Sequence, residues 1–355
     1  MNHAHWFTWL QRATSMLPGG KALKRRLHNS ATACGLALQL SKVMPDRHFT
    51  IIMYHRMLDR PDPYYPLGYG MDLGVFTAQL RMFARFCAVL SLDEILARLN
   101  DGKRLPPRCV ALTFDDGYQE VVTRVWPLLT RYRLPATVAV TVQGLDRGFL
   151  WPDALRHAIR QTTMPRVVFK TATGESRTMV LANESDRLIA VTQLDAYLKQ
   201  LPNRVKEQLL RELLAQLLHV TPEELGISNL LLSWDDLKML VSHGVSIGSH
   251  TMTHPILTRV SETDAQQEIA DSRRILSARL GVPVNHFFYP NGEVGDFSPR
   301  VEQFVADAGF HSACTTIHGV NQPSENRFAL KRINGALASV RRLVRVIDEV
   351  GTCRA

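Results

Sequence analysis

The chain is poor in cysteine, in long apolar runs and, near its start, in acidic residues. Its five cysteines (Cys34, Cys87, Cys109, Cys314 and Cys353) are scattered, with no C-x-x-C pair. That excludes a thiolate metal site and a disulfide framework. No run of about 18 apolar residues occurs, so no transmembrane helix is expected. No signal peptide is recognisable either. The stretch 31–44 is interrupted by Gln39, Ser41 and Lys42 and lies too far in, so a cytoplasmic or membrane-peripheral location is expected. Residues 1–47 hold seven Lys/Arg against a single acid, Asp46, out of a formal net charge of +9 for the whole chain. Trp6, Phe7, Trp9 and Leu10 accompany that charge. Two readings stay open: a segment that lies on an anionic membrane surface, and a plain basic extension. No nucleic-acid-binding motif is present, and a nucleic-acid partner is not expected.

The 355 residues, 45% of them hydrophobic, suffice for one large domain with additions or for two domains. From residue 48 the pattern alternates. Phe49–Tyr54 and Val110–Phe114 are apolar runs of strand length, and Ala136–Val142 is rich in β-branched residues. Shorter strands are expected at Ala88–Leu92, Val245–Gly248, Phe287–Tyr289 and Ser312–Thr316. Helical spacing marks Phe76–Phe86, a short helix capped by Asp93, Val121–Tyr132 with a bend or a restart at Pro127, and Thr263–Leu280 stopped by Gly281. Alternation of this kind implies a largely parallel sheet, and about eight strands imply a closed α/β barrel with its chemistry at the strands' C-terminal ends. Residues 150–233 break the rhythm with a hairpin and a helix-rich stretch split at Pro202, and read as an insertion. The expected division is an extension 1–47, a barrel 48–335 carrying that insertion, and a C-terminal helix and tail 336–355.

Two clusters carry chemistry. In "LTFDDGYQE" (112–120), Asp115 and Asp116 end an apolar strand. Side chains alternate along a strand, so adjacent carboxylates should point apart unless the strand stops there, and Gly117 lets it turn. A bare Asp-Asp-Gly is also an ordinary solvated turn with a helix N-cap. In "SIGSHTMTHP" (246–255), His250 and His254 follow a short strand, and H-x-x-x-H alone is common by chance. Together, two imidazoles and one carboxylate form a catalytic divalent site with positions left open. The second carboxylate is then free to act as a base.

These residues resemble the polysaccharide deacetylases of the NodB-homology type, carbohydrate esterase family 4. Thr113-Phe114-Asp115-Asp116-Gly117 matches the family's T-F-D-D-G motif, and His250-Thr251-Met252-Thr253-His254 its H-[ST]-x-x-H motif. The resemblance covers roughly residues 48–335. It implies a distorted (β/α) barrel and metal-dependent removal of acetyl groups from sugars, with Asp115 as base and Asp116, His250 and His254 as ligands. The family's third motif departs here. In "FFYPNG" (287–292), Phe288 stands where an arginine is usual and Asn291 where a tyrosine is. The backbone N–H of Asn291 is still available as an oxyanion donor, and Arg332, in "LKRIN", is the candidate replacement for the arginine. The last motif, an apolar strand ending in histidine, is absent near the C-terminus, yet "IIMYH" ends at His55. This order resembles a circularly rearranged subgroup that includes exopolysaccharide and poly-N-acetylglucosamine deacetylases, and makes His55 the candidate acid, with His318 as rival. Zinc is the expected ion and an N-acetylated glycan the expected partner. Two alternatives stay open: a catalytically degenerate glycan-binding barrel, and a hydrolase of a small non-sugar amide. Trp151 and Trp234 suit glycan contact and suit a core role equally.

Overall fold

The computed structural model describes residues 48–60, 62–227 and 229–349. The basic segment 1–47 and the final residues 350–355 lie outside the described residues, as does the expectation of membrane contact attached to the former. In chain order the first elements are β1 (Phe49–Tyr54), β2 (Arg56–Leu58), β3 (Gly70–Asp72), α1 (Leu73–Phe86), β4 (Ala88–Val89), α2 (Leu92–Asn100), β5 (Cys109–Phe114), α3 (Trp126–Tyr132) and β6 (Thr137–Val140). Next come α4 (Val142–Arg147), α5 (Trp151–Gln161), β7 (Arg166–Lys170), β8 (Ser176–Val180), α6 (Glu184–Gln200) and α7 (Asn203–Leu218). The rest are α8 (Trp234–Ser242), β9 (Ser246–Ser249), α9 (Glu262–Leu280), β10 (His286–Phe288), α10 (Pro299–Asp307), β11 (Ser312–His318), β12 (Leu330–Asn334) and α11 (Val340–Glu349).

β1, β12, β11, β10, β9, β6 and β5 pair in that order, and β5 pairs back to β1. Every one of these pairings is parallel, so seven strands close a ring. The eighth strand expected from the sequence exists, but β4 is only two residues long and rests against the start of β5 outside the ring. β1 and β5 are buried at every residue, as strands covered on both faces must be. One face of β5 (Val110, Leu112, Phe114) joins the core under the helices. The other face (Cys109, Ala111) meets Phe288, Cys314 and Leu330 in the barrel interior. Gly248 makes room for this filling: a Cβ there would stand 2.4 Å from the Phe288 ring.

One local expectation is corrected. The cap of α2 is Ser91, whose side chain accepts from the Glu94 N–H, and not Asp93, which lies within the first turn. Of the two readings of Val121–Tyr132, a bend and a restart at Pro127, the structure shows a restart. A wide π turn spans Val121–Val125, and α3 starts with Pro127 in its first turn, where a missing N–H leaves no bond unmade. Between β6 and β9, the antiparallel hairpin β7–β8 and helices α5, α6 and α7 build an apolar cluster of their own around Leu155, Leu194, Leu213 and Leu214. Among the described residues no helix is long and apolar enough to cross a membrane.

Candidate metal centre and active site

β5 stops where the acidic pair begins. The Asp115 N–H still donates to the Tyr54 carbonyl (2.9 Å), and then Asp116 and Gly117 both turn left-handed, each with φ of 71°. Two successive left-handed residues break the alternation of a strand, so both carboxylates are buried at its C-terminal end, each 1% exposed. Gly117 is required twice over, by its φ and because a Cβ would meet Val140 at 2.8 Å. Thr251, His254 and Asn291 are also left-handed without being glycine. Backbone strain of this kind costs on the order of 1–3 kcal/mol per residue and collects at functional sites.

Asp116, His250 and His254 converge: one potential ligand atom from each lies within 4.8 Å of the others. Asp116 Oδ1 stands 3.4 Å from His250 Nε2 and 3.3 Å from His254 Nε2, and the two nitrogens are 3.2 Å apart. His250 Nδ1 bonds the Phe288 carbonyl (2.7 Å), so Nδ1 carries the hydrogen and a neutral ring turns its Nε2 lone pair to the cluster. The loop bearing His254 is stapled by Glu268, which accepts from the Met252 N–H (2.8 Å), the Thr253 N–H (2.9 Å) and the Thr253 hydroxyl (2.6 Å). Burial raises the Asp116 carboxyl, but the neighbouring His250 and His254 outweigh it and hold the group well below the usual carboxylate range. Burial pushes His254 down to about 4. Burial also lowers His250, but Asp116 and Asp115 outweigh it and leave that imidazole raised, so an ion competes there with a proton. An ionised carboxylate, two imidazoles and an Asp116 Oδ1 that is buried without a hydrogen-bond partner fit a divalent cation.

Asp115 faces different company. Arg332 grips it with two parallel bonds, Nη1 to Oδ1 and Nη2 to Oδ2, both 2.7 Å. The guanidinium is completely buried, anchored by Nε to the Thr315 carbonyl (2.6 Å) and set 5.2 Å from the centre of the Phe288 ring. Arg332 is therefore an interior residue and not a surface one. Burial raises Asp115, and Arg332 reverses this and leaves it below the usual range, ionised at neutral pH. His55 follows β1, which pairs both β12 and β5, and its Nε2 is 3.9 Å from Asp115 Oδ2. Burial lowers His55, and the Asp116 and Asp115 charges only partly offset this. Asn291 sits in the turn after β10, where its amide donates to Asp296 and its carbonyl accepts from the Thr316 hydroxyl (2.6 Å). His318 is exposed at the end of β11.

Sequence reasoning missed Tyr69. Its hydroxyl donates to Asp116 Oδ2, its ring stacks on His55 with centroids 4.4 Å apart, and its oxygen lies 3.2 Å from that of Tyr118. Tyr118 in turn donates to Asp153 of α5 (3.0 Å), which ties that helix to the cluster of Asp116, His250 and His254. The signal available was slight: one tyrosine in an irregular stretch, 47 residues from its partner.

A family model described as polysaccharide deacetylase matches residues 102–173 and 186–313, more than half of the chain. The chain belongs to the polysaccharide deacetylase family. Its members are hydrolases of the carbohydrate esterase 4 type. A poly-beta-1,6-N-acetyl-D-glucosamine N-deacetylase of Escherichia coli (strain K12) is 46% identical over 57 residues, which is 16% of this chain and 8% of that protein's length. Among solved structures, the Streptococcus pyogenes deacetylase PplD, in complex with acetate, aligns with a TM-score of 0.57 at 18% identity, over 86% of this chain and 99% of that one. IcaB from Ammonifex degensii aligns with a TM-score of 0.54 at 17% identity, over 85% and 97% respectively. At these identities the likeness is one of fold: the seven-stranded parallel barrel is that of NodB-type polysaccharide deacetylases.

Proposed function

We propose that this polysaccharide deacetylase hydrolyses N-acetyl groups of a glycan, with zinc held by Asp116, His250 and His254. The observation that carries the reading is the separation of duties between adjacent aspartates. Asp116 faces two imidazoles, while Asp115 is gripped by Arg332 and has His55 at 3.9 Å. A divalent ion at such a site polarises a carbonyl and lowers the pKa of water toward ~7. Asp115 accepts the proton of the water that adds to the acetyl carbon. Arg332 keeps both oxygens of that base in place, the task of the arginine that Phe288 replaces. The Asn291 N–H supports the oxyanion. His55, held by the Tyr69 ring, relays the proton taken up by Asp115, 3.9 Å away, to the departing nitrogen as the C–N bond breaks, and acetate and a free amine result.

The order of strands supports membership of the circularly rearranged, exopolysaccharide-deacetylase-like subgroup. β1, first in the ring's chain order, lies beside β12, the last, so His55 stands where a histidine-ending final strand would otherwise bring one. On this reading the barrel occupies 48–335 and residues 150–233 are inserted in it.

The test is to incubate the purified chain, loaded with zinc, with N-acetylglucosamine oligosaccharides, and to measure acetate and free amine. Equal yields of the two, abolished by a chelator and restored by zinc, are expected. Tight glycan binding without acetate would instead identify a degenerate binding barrel, and turnover of small non-sugar amides alone would identify the other alternative.

A further inference from the structure

Beside the metal cluster lies a cavity of about 230 Å³, between the segments that follow β6 and β9 and the helices α5 and α7. One wall is Thr141, whose hydroxyl donates to the His250 carbonyl (3.0 Å), and Thr253, the residue before His254. Its lining also includes Trp151 and Lys206. Lys206 is 5% exposed, and its Nζ lies 4.8 Å from the centre of the Trp151 ring. Among the described residues it makes no ion pair and no hydrogen bond. Glu207 and Glu268 act on it only from a distance: Glu207 accepts from the Asn203 side chain, and Glu268 is committed to Met252 and Thr253. Burial lowers the ammonium to about 8, so it is still charged at neutral pH. An unpaired buried charge is costly to keep, and lysines on leucine-rich helices ordinarily carry their head group out to water. Arg147, Arg211, Glu207 and Glu223 line the same cavity, so Lys206 leaves its lining with one positive charge in excess.

We infer that this cavity is a second sugar subsite and that it takes a carboxylate-bearing residue, the acidic neighbour of the N-acetylated sugar seated at the metal centre. The inference rests on the deacetylase reading above and narrows its substrate to an acidic glycan. A carboxylate supplies the counter-charge that Lys206 lacks, and the indole offers an apolar face to the same ring. A neutral N-acetyl group would leave the ammonium unpaired. A neighbouring sugar that already carries a free amine would be repelled.

Calorimetric titration of the zinc-loaded full chain with glucuronate, glucose and glucosamine tests this directly. Glucuronate should bind, and glucose and glucosamine should not. Lys206→Met and Lys206→Gln should each weaken glucuronate at least about tenfold, the effect of losing one charge-assisted hydrogen bond. Gln keeps a hydrogen-bond donor, so wild-type glucuronate affinity in Lys206→Gln would overturn the anionic assignment. So would undetectable glucuronate binding to the wild-type chain, or binding that follows the zinc content of the variants and not residue 206. The readout is binding and not turnover. A chain that binds glucuronate through Lys206 but releases no acetate sinks the deacetylase reading alone, and acetate release without glucuronate binding sinks only the subsite.

Discussion

Histidine meets carboxylate at both ends of the barrel, at nearly the same distance and with different consequences. At the start of β10, His286 Nε2 lies 3.2 Å from Asp93. At the C-terminal mouth, His250 and His254 lie 3.4 and 3.3 Å from Asp116. Asp93 has a side chain 43% exposed and also takes a hydrogen bond from Asn285 (2.8 Å), while the other ring nitrogen of His286 meets the Ser312 hydroxyl (2.9 Å). That pair is ordinary structure, half in water, set on a regular strand and helix. The Asp116 side chain is 2% exposed and offers one oxygen to two imidazoles. The backbone beneath Asp116 and His254 is left-handed. A pair joins two elements, whereas three converging ligand atoms on strained backbone make a place for an ion.

The sharpest way to break this comparison is to count metal. His250→Ala should take bound zinc from one ion per chain to none, and Asp93→Asn should leave it at one, by elemental analysis after dialysis. Next in size is Arg332→Met, which strands the Asp115 charge in the interior. A loss of about 3–5 kcal/mol in urea unfolding is expected, against about 1 kcal/mol or less for Asp93→Asn, whose pair is screened by solvent. Tyr69→Phe keeps the ring against His55 but releases Asp116 Oδ2, and should weaken zinc by about 10–100-fold in competition with a chelator. The smallest effect is one of pH. The His286 imidazole, 3.2 Å away, brings Asp93 down to about 2 against the opposing effect of burial. A carboxylate lowered on folding stabilises the native state above its ordinary value near 4, and the contribution disappears as pH falls through about 2. Asp93→Asn should therefore flatten the acid limb of a stability profile over that window, with the small loss showing at pH 7 and disappearing below about pH 2.

Much of the mouth was legible because its residues come in short motifs at strand ends. "TFDDG" and "HTMTH" each fix several side chains within a few positions, and the strand "FTIIMY" delivered His55 to the expected end. Arg332 was readable only as a candidate, since its grip on Asp115 spans 217 residues. Tyr69 escaped because no periodicity acts on an irregular segment. Lys206 escaped for the opposite reason: on an amphipathic helix it reads as one more solvated lysine, and only packing against Trp151 shows it buried. The number of strands closing the ring depended on β4, two residues whose role is set by where β6 takes over the edge of β5.

The central claim is that the two adjacent aspartates have separate duties, and Asp115→Asn tests it most directly. Acetate release and zinc content should be measured on the same preparation. The account requires one zinc per chain as in the wild type, with turnover lowered by about 10²–10⁴ through loss of the base. Near-normal turnover with zinc retained would show that another group takes the proton. Zinc lost together with activity would show that Asp115, like Asp116, serves the metal.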